Sequence, residues 1–153
     1  MLKMRTRKTQ MIADGLSGCR SVNNMDKLTV IIDAVAKPRM TRSDRWKKRP
    51  CVMRYRAYSN RLREAALMQK YIPANELIMQ FYIKMPVSWS KKKKEQMRGE
   101  PMQSRPDIDN LEKSILDSLF RDDDSAVWKV CASKRWADVG SVTLENWEKI
   151  VIK

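Results

Sequence analysis

Apolar and polar residues alternate from Glu76 to Met85: Leu77, Met79, Phe81, Ile83 and Met85 fall on one side, with Gln80, Tyr82 and Lys84 among those on the other. A period of two predicts a strand covered on one face. Leu28 to Ala36 is a β-branched apolar run and predicts a buried strand. From Val52 to about Gln69 the period changes. Tyr55, Tyr58, Leu62, Ala65 and Ala66 recur at helical spacing, with Arg54, Arg56, Arg61 and Arg63 elsewhere, as in an amphipathic helix with a basic outer face. A second helix is predicted from about Ile108 to Phe120, with the stripe Ile108, Leu111, Ile115, Leu116 and Leu119. Asp109, Lys113 and Asp117, spaced by four, lie off that stripe on a common exposed side. Ala126–Trp136 and Gly140–Leu144 predict two further strands, and Trp147 with Ile150–Ile152 a tail that docks. Pro86 to Gln103 reads as a polar connection holding the run Lys91 to Lys94 and a short helix.

These elements predict an α+β fold: a single domain with a small mixed β-sheet of about four strands packed against two main helices. It spans residues 26–153, and 153 residues suffice for one core. Residues 1–25 carry several cations with Ser, Asn and Gly but no sustained periodicity, and predict a flexible basic N-terminal extension.

The net charge of +14 and pI near 10 point to a polyanionic partner. The charge is uneven: residues 1–106 hold 25 cations against 8 acids, and residues 107–153 hold 7 against 10. With no histidine in the chain, imidazole bases, serine and cysteine triads and histidine-ligated zinc are excluded. The three scattered cysteines Cys19, Cys51 and Cys131 fit neither a disulfide framework nor a zinc knuckle, so a reducing cytoplasm is expected. No apolar run approaches the roughly 18 residues needed to span a bilayer, and the basic N-terminus lacks the apolar core of a signal peptide.

The acids concentrate in Arg105-Pro106-Asp107-Ile108-Asp109-Asn110-Leu111-Glu112-Lys113 and in Arg121-Asp122-Asp123-Asp124-Ser125. Carboxylates beside a cationic surface would repel a phosphate backbone unless a cation lay between, and oxygen ligands that bridge to phosphate suit Mg²⁺. A calcium EF-hand fails, because Leu111 and Glu112 stand where that loop needs an oxygen ligand and a glycine. Helix capping competes: Asp109-x-x-Glu112 matches a capping box, and Asp107 suits a helix N-terminus. Lys113 has its own structural alternative, an ion pair with Asp109 or Asp117. If the strand beginning at Ala126 is extended backwards, Asp124 shares the more apolar side with Ala126, Trp128, Val130 and Ala132, while Asp123 points away. Asp124 is then the better third ligand.

The pattern basic-Pro-Asp-x-Asp-Asn-Leu-x-Lys, then Leu-Asp-x-Leu, then Asp-Asp-Ser-x-Val resembles the RusA-type crossover junction endodeoxyribonucleases, or Holliday junction resolvases. The likeness is strongest over Arg105–Val127 and extends loosely from about Lys27 to Leu144. It implies Mg²⁺-dependent nicking of four-way DNA junctions by a homodimer, with Mn²⁺ as a substitute, and a phage or prophage origin. By motif position it also implies that Asp107, Asp109 and Asp124 bind the metal and that Lys113 is the essential lysine. The stretch between Leu119 and Asp124 is shorter than in the best-known members and carries the extra Asp122, which leaves the third ligand open between Asp123 and Asp124.

Arg39, Arg42, Arg45, Lys47, Lys48 and Arg49 surround Trp46 in one short loop, and with Arg105 they are the candidate phosphate contacts. The tryptophans read as packing residues rather than stacking platforms, and the scattered methionines as core filler. The competing reading is a non-catalytic basic DNA- or RNA-binding protein whose acids are caps and surface ion pairs.

Overall fold

A computed structural model gives the protein's structure over residues 26–121 and 123–147, so the predicted extension 1–25 and the tail Ile150–Ile152 lie outside the described residues. Strand β1 (Lys27–Val30) buries Leu28 and Val30 and turns Lys27 and Thr29 outward. It was expected to continue to Ala36 but stops at Val30. Its one neighbour in the sheet, β4, begins at Ser141, and the last pair is Val30 with Val142. Beyond that point β4 offers only Ser141, which pairs with Tyr82 of β2 on its other side. Residues 31–40 instead run as irregular chain, pressing Ile32, Ala34, Val35 and Ala36 onto the core.

Helix α1 (Pro50–Met68) has its proline in the first turn, where the missing N–H breaks no helical hydrogen bond. Val52, Tyr55, Tyr58, Ser59, Leu62 and Ala66 form its buried face, and Arg54, Arg56 and Arg61 are exposed. Strand β2 (Glu76–Lys84) follows. Leu77, Met79 and Phe81 are fully buried, each contributing about 1.5–3 kcal/mol of apolar burial. The short helix α2 (Lys91–Met97) is capped by Ser90, whose Oγ accepts from the Lys93 N–H at 3.3 Å.

Helix α3 (Ile108–Leu119) is rotated from the predicted stripe: its buried face is Leu111, Ser114, Ile115 and Ser118, while Leu116 and Leu119 are half-buried. Both serines are wholly enclosed, and each satisfies its hydroxyl within the helix, Ser114 on the Leu111 carbonyl (2.7 Å) and Ser118 on the Ser114 carbonyl (2.6 Å). Small side chains let α1 and α3 pack closely.

Strands β3 (Lys129–Ala137) and β4 (Ser141–Asn146) complete a four-stranded sheet ordered β1-β4-β2-β3. Only the β2–β3 pair is parallel, and the connection between them carries α2 and α3. Helices α1 and α3 share one core with the sheet residues Leu28, Leu77, Met79, Phe81, Val142 and Leu144. The α+β expectation of a mixed sheet under two main helices is what the structure shows. Gly140 is required by a close approach: a Cβ there would lie 3.0 Å from the Asp33 Cα.

Candidate active site

Strand β3 determines where α3 starts. Its outer edge is covered by residues 99–102, with Gly99 N–H on the Trp136 carbonyl (2.9 Å), Trp136 N–H on that of Glu100 (3.0 Å) and Met102 N–H on that of Lys134 (3.0 Å). Lys134 lies opposite Phe81, hence on the helix-covered side of the sheet. From there its ammonium donates to the carbonyls of Ser104 and Pro106, both at 2.6 Å. The chain then passes through a cis Arg105–Pro106 peptide into Asp107, the N-cap of α3.

Of the competing capping reading, the Asp109–Glu112 box does not form, whereas Asp107 does stand at the helix N-terminus. Asp107, not Asp109, is the N-cap; its backbone is extended, and its side chain makes no cap hydrogen bond. Asp109 sits exposed in the first turn. Among the described residues neither carboxylate has a hydrogen-bond or ion-pair partner. Glu112, expected only as a capping partner, is half-buried, and burial together with the charge of Asp109 raises its pKa. Sequence reasoning missed this third acid.

Lys113 pairs with neither Asp109 nor Asp117. Asp117 turns inward and is paired with Lys37 instead, from the segment that follows β1. Four residues advance a helix by one turn plus about 40°, so Asp117 is rotated well away from Asp109 and the three do not share one exposed side. Lys113 remains exposed, with no ion-pair partner among the described residues.

Asp124 does not share a strand face with Ala126, Trp128, Val130 and Ala132 as expected, since β3 begins at Lys129, opposite Glu76 where β2 itself begins. Residues 123–128 are a loop in which the Val127 N–H bonds the Asp124 carbonyl at 3.1 Å. Exposure still distinguishes the two acids. Asp123 is exposed and accepts the Ser125 N–H at 2.8 Å, and its hydrogen bonds to Ser125 hold its pKa below the ordinary value. Asp124 is half-buried with no side-chain partner among the described residues, which do not include Asp122.

Asp107 and Asp109 thus stand at one helix start beside Glu112, while Asp124 lies in the loop before β3. Among the described residues no three His, Cys, Asp or Glu side chains converge into a group that holds a metal. The donor chemistry fits a hard divalent cation, being all oxygen and uncommitted, although the ligand set is not closed.

The basic loop has more internal structure than its charge suggests. Residues Arg42–Arg45 form a 3-10 turn around Asp44, which is only 4% exposed. Arg49 donates to both Asp44 carboxylate oxygens (2.6 Å each) and to the Arg39 carbonyl (2.8 Å), while Arg56 donates to the Asp44 carbonyl (2.9 Å). The Arg49 guanidinium, then the Thr41 N–H, hold the Asp44 carboxyl well below the usual carboxylate range. Arg49 therefore organises the loop, whereas Arg39, Arg42, Arg45, Lys47 and Lys48 are exposed, as is Arg105 beside the acids. Two tryptophans contradict the packing expectation: Trp46 is 71% exposed and Trp128 67%.

Among the described residues no helix is long and apolar enough to cross a membrane. No curated protein and no solved structure matches the chain. The sequence model of one protein family, described as Endodeoxyribonuclease RusA, matches residues 31–145, most of the chain and both acidic segments. That match sets aside the non-catalytic alternative, and RusA resolvases act on branched DNA and are generally dependent on a divalent metal. The chain belongs to the RusA family of endodeoxyribonucleases, the Holliday junction resolvases.

Proposed function

We propose that this chain is a Mg²⁺-dependent resolvase that nicks four-way DNA junctions in symmetric pairs as a homodimer, with Mn²⁺ as a substitute metal. The observation that carries the reading is that Asp107 occupies a helix N-cap without using its carboxylate to cap. An N-cap aspartate normally accepts from a first-turn N–H, and here that capacity is left over. Asp107, Asp109 and Asp124 would hold the ion, which when bound supplies Lewis acidity toward the scissile phosphate and lowers the pKa of water.

The chain's own residues do the rest. The α3 N-terminus directs main-chain N–H groups and the positive end of its dipole toward an incoming phosphate. Lys113, unpaired among the described residues, supplies its ammonium to charge developing on the phosphate or the leaving oxygen. Arg39, Arg42, Arg45, Lys47, Lys48 and Arg105 contact the backbone. A four-way junction has approximate two-fold symmetry, so an isologous dimer offers two copies of the site to opposed strands. The reading sets this work in the cytoplasm, where the free, exposed Cys51 and Cys131 stay reduced.

An end-labelled synthetic four-way junction tests it. Paired nicks at symmetric positions are expected with Mg²⁺, none with EDTA, and mixed dimers of wild-type and Asp107→Asn chains should nick one strand only. Cleavage in EDTA, or equal cutting of a linear duplex of the same sequence, would overturn the reading.

A further inference from the structure

The 3-10 turn presents a groove that phosphate contacts alone do not explain. It is lined by Met40, Thr41, Arg42, Arg45 and Trp46. Trp46 is a large apolar surface left in water at the centre of a strongly cationic loop, with the exposed Met40 beside it. The loop is also held in place. The N–H groups of Trp46 and Lys47 both bond the Ser43 carbonyl (3.2 and 2.8 Å), and Asp44 is clamped from three directions by Thr41, Arg49 and Arg56. The indole is thus carried on a preformed backbone, with little ordering left for a ligand to impose.

We propose that the groove between Met40 and Trp46 is a stacking subsite for one unpaired nucleobase of the branched DNA, with Arg42 and Arg45 holding the flanking phosphates. Charge complementarity selects this occupant. An apolar protein surface would leave Arg42 and Arg45 desolvated without partners, whereas a nucleotide brings a π-face for the indole and an anion for each guanidinium. In the open, unstacked form of a four-way junction the base pairs at the branch point lack a stacking neighbour on one face, so exposing one of their bases costs less than it would inside a duplex. The proposal rests on the junction-nicking reading and adds a determinant of junction preference to it.

The test is the dissociation constant measured in EDTA, so that no cleavage occurs, for a four-way junction, a linear duplex and a single-stranded oligonucleotide across a series of salt concentrations. Trp46→Ala should weaken junction and single-strand binding by roughly 5- to 100-fold, with the slope of log Kd against log salt unchanged, and should leave duplex binding as it was. Trp46→Phe should keep most of the affinity, and Arg42→Ala should lower the salt slope by about one. Trp46 lies exposed on a turn, so the thermal melt of Trp46→Ala should match the wild type. Unchanged junction binding by Trp46→Ala, or an equal loss on duplex and junction, would overturn the subsite. If the wild-type protein fails to nick the junction, the parent reading fails instead, and single-strand binding by Trp46→Ala still decides the stacking.

Discussion

Lys134, on β3, donates its ammonium at 2.6 Å to the main-chain carbonyl of Pro106, tying the sheet to the residue just before Asp107. A second bond of the same length reaches Ser104, so one side chain holds the strand-to-helix passage that sets the α3 N-cap. Lys134→Met keeps the stem and removes the donors. It is expected to reduce junction nicking by about 10- to 100-fold and to raise the Mg²⁺ concentration needed for half-maximal rate, as loss of groups supporting a metal site does. Stability should fall by only about 1–3 kcal/mol. Unchanged metal dependence would show that α3 positions Asp107 unaided.

Asp109 and Asp124 should behave alike and Asp123 differently. Asp109→Asn and Asp124→Asn are expected to abolish nicking while junction binding stays intact or tightens, because each removes a negative charge facing phosphate. Asp123→Asn should cost little activity, since that carboxylate already serves the loop by accepting from Ser125. Nicking assays paired with gel-shift titrations check this. Full activity in Asp124→Asn would move the third ligand elsewhere.

The Asp44–Arg49 pair makes stability depend on pH. Because the Asp44 carboxyl titrates below its unfolded value, its contribution is present at neutral pH and is lost as pH falls below about 4 toward the folded pKa. Asp44→Asn should therefore melt below the wild type at pH 7, and the gap should narrow in acid. Melting curves by circular dichroism at stepped pH values would show it, and a gap that is constant with pH would contradict it.

Periodicity made β2 and α1 legible, since Leu77, Met79, Phe81 and Met85 are buried as alternation requires and Tyr55, Tyr58 and Leu62 face the core. Strand ends were not legible, because they depend on a neighbour distant in sequence: β1 ends at Val30, one residue short of the first residue of β4, and β3 begins at Lys129 opposite the first residue of β2. The buried face of α3 was misjudged for a related reason. Ser114 and Ser118 read as polar, yet a serine that satisfies its hydroxyl inside its own helix can be enclosed where a close neighbour needs a small side chain. At the candidate site, charge and spacing singled out the two acidic segments, and the family resemblance picked Asp107, Asp109, Lys113 and Asp124 from them. They did not disclose Lys134, whose role exists only because residues 99–106 pass beside β3, nor the inward pairing of Asp117 with Lys37.

The most direct measurement is Asp107→Asn, which separates a helix cap from a metal ligand. Asparagine is as good an N-cap as aspartate, and no cap hydrogen bond is lost, so the variant should melt like the wild type without metal. Mg²⁺ should raise the melting temperature of the wild type but not of the variant, and the variant should bind the four-way junction without nicking it. Mg²⁺ stabilisation and nicking that both persist in Asp107→Asn would contradict the account.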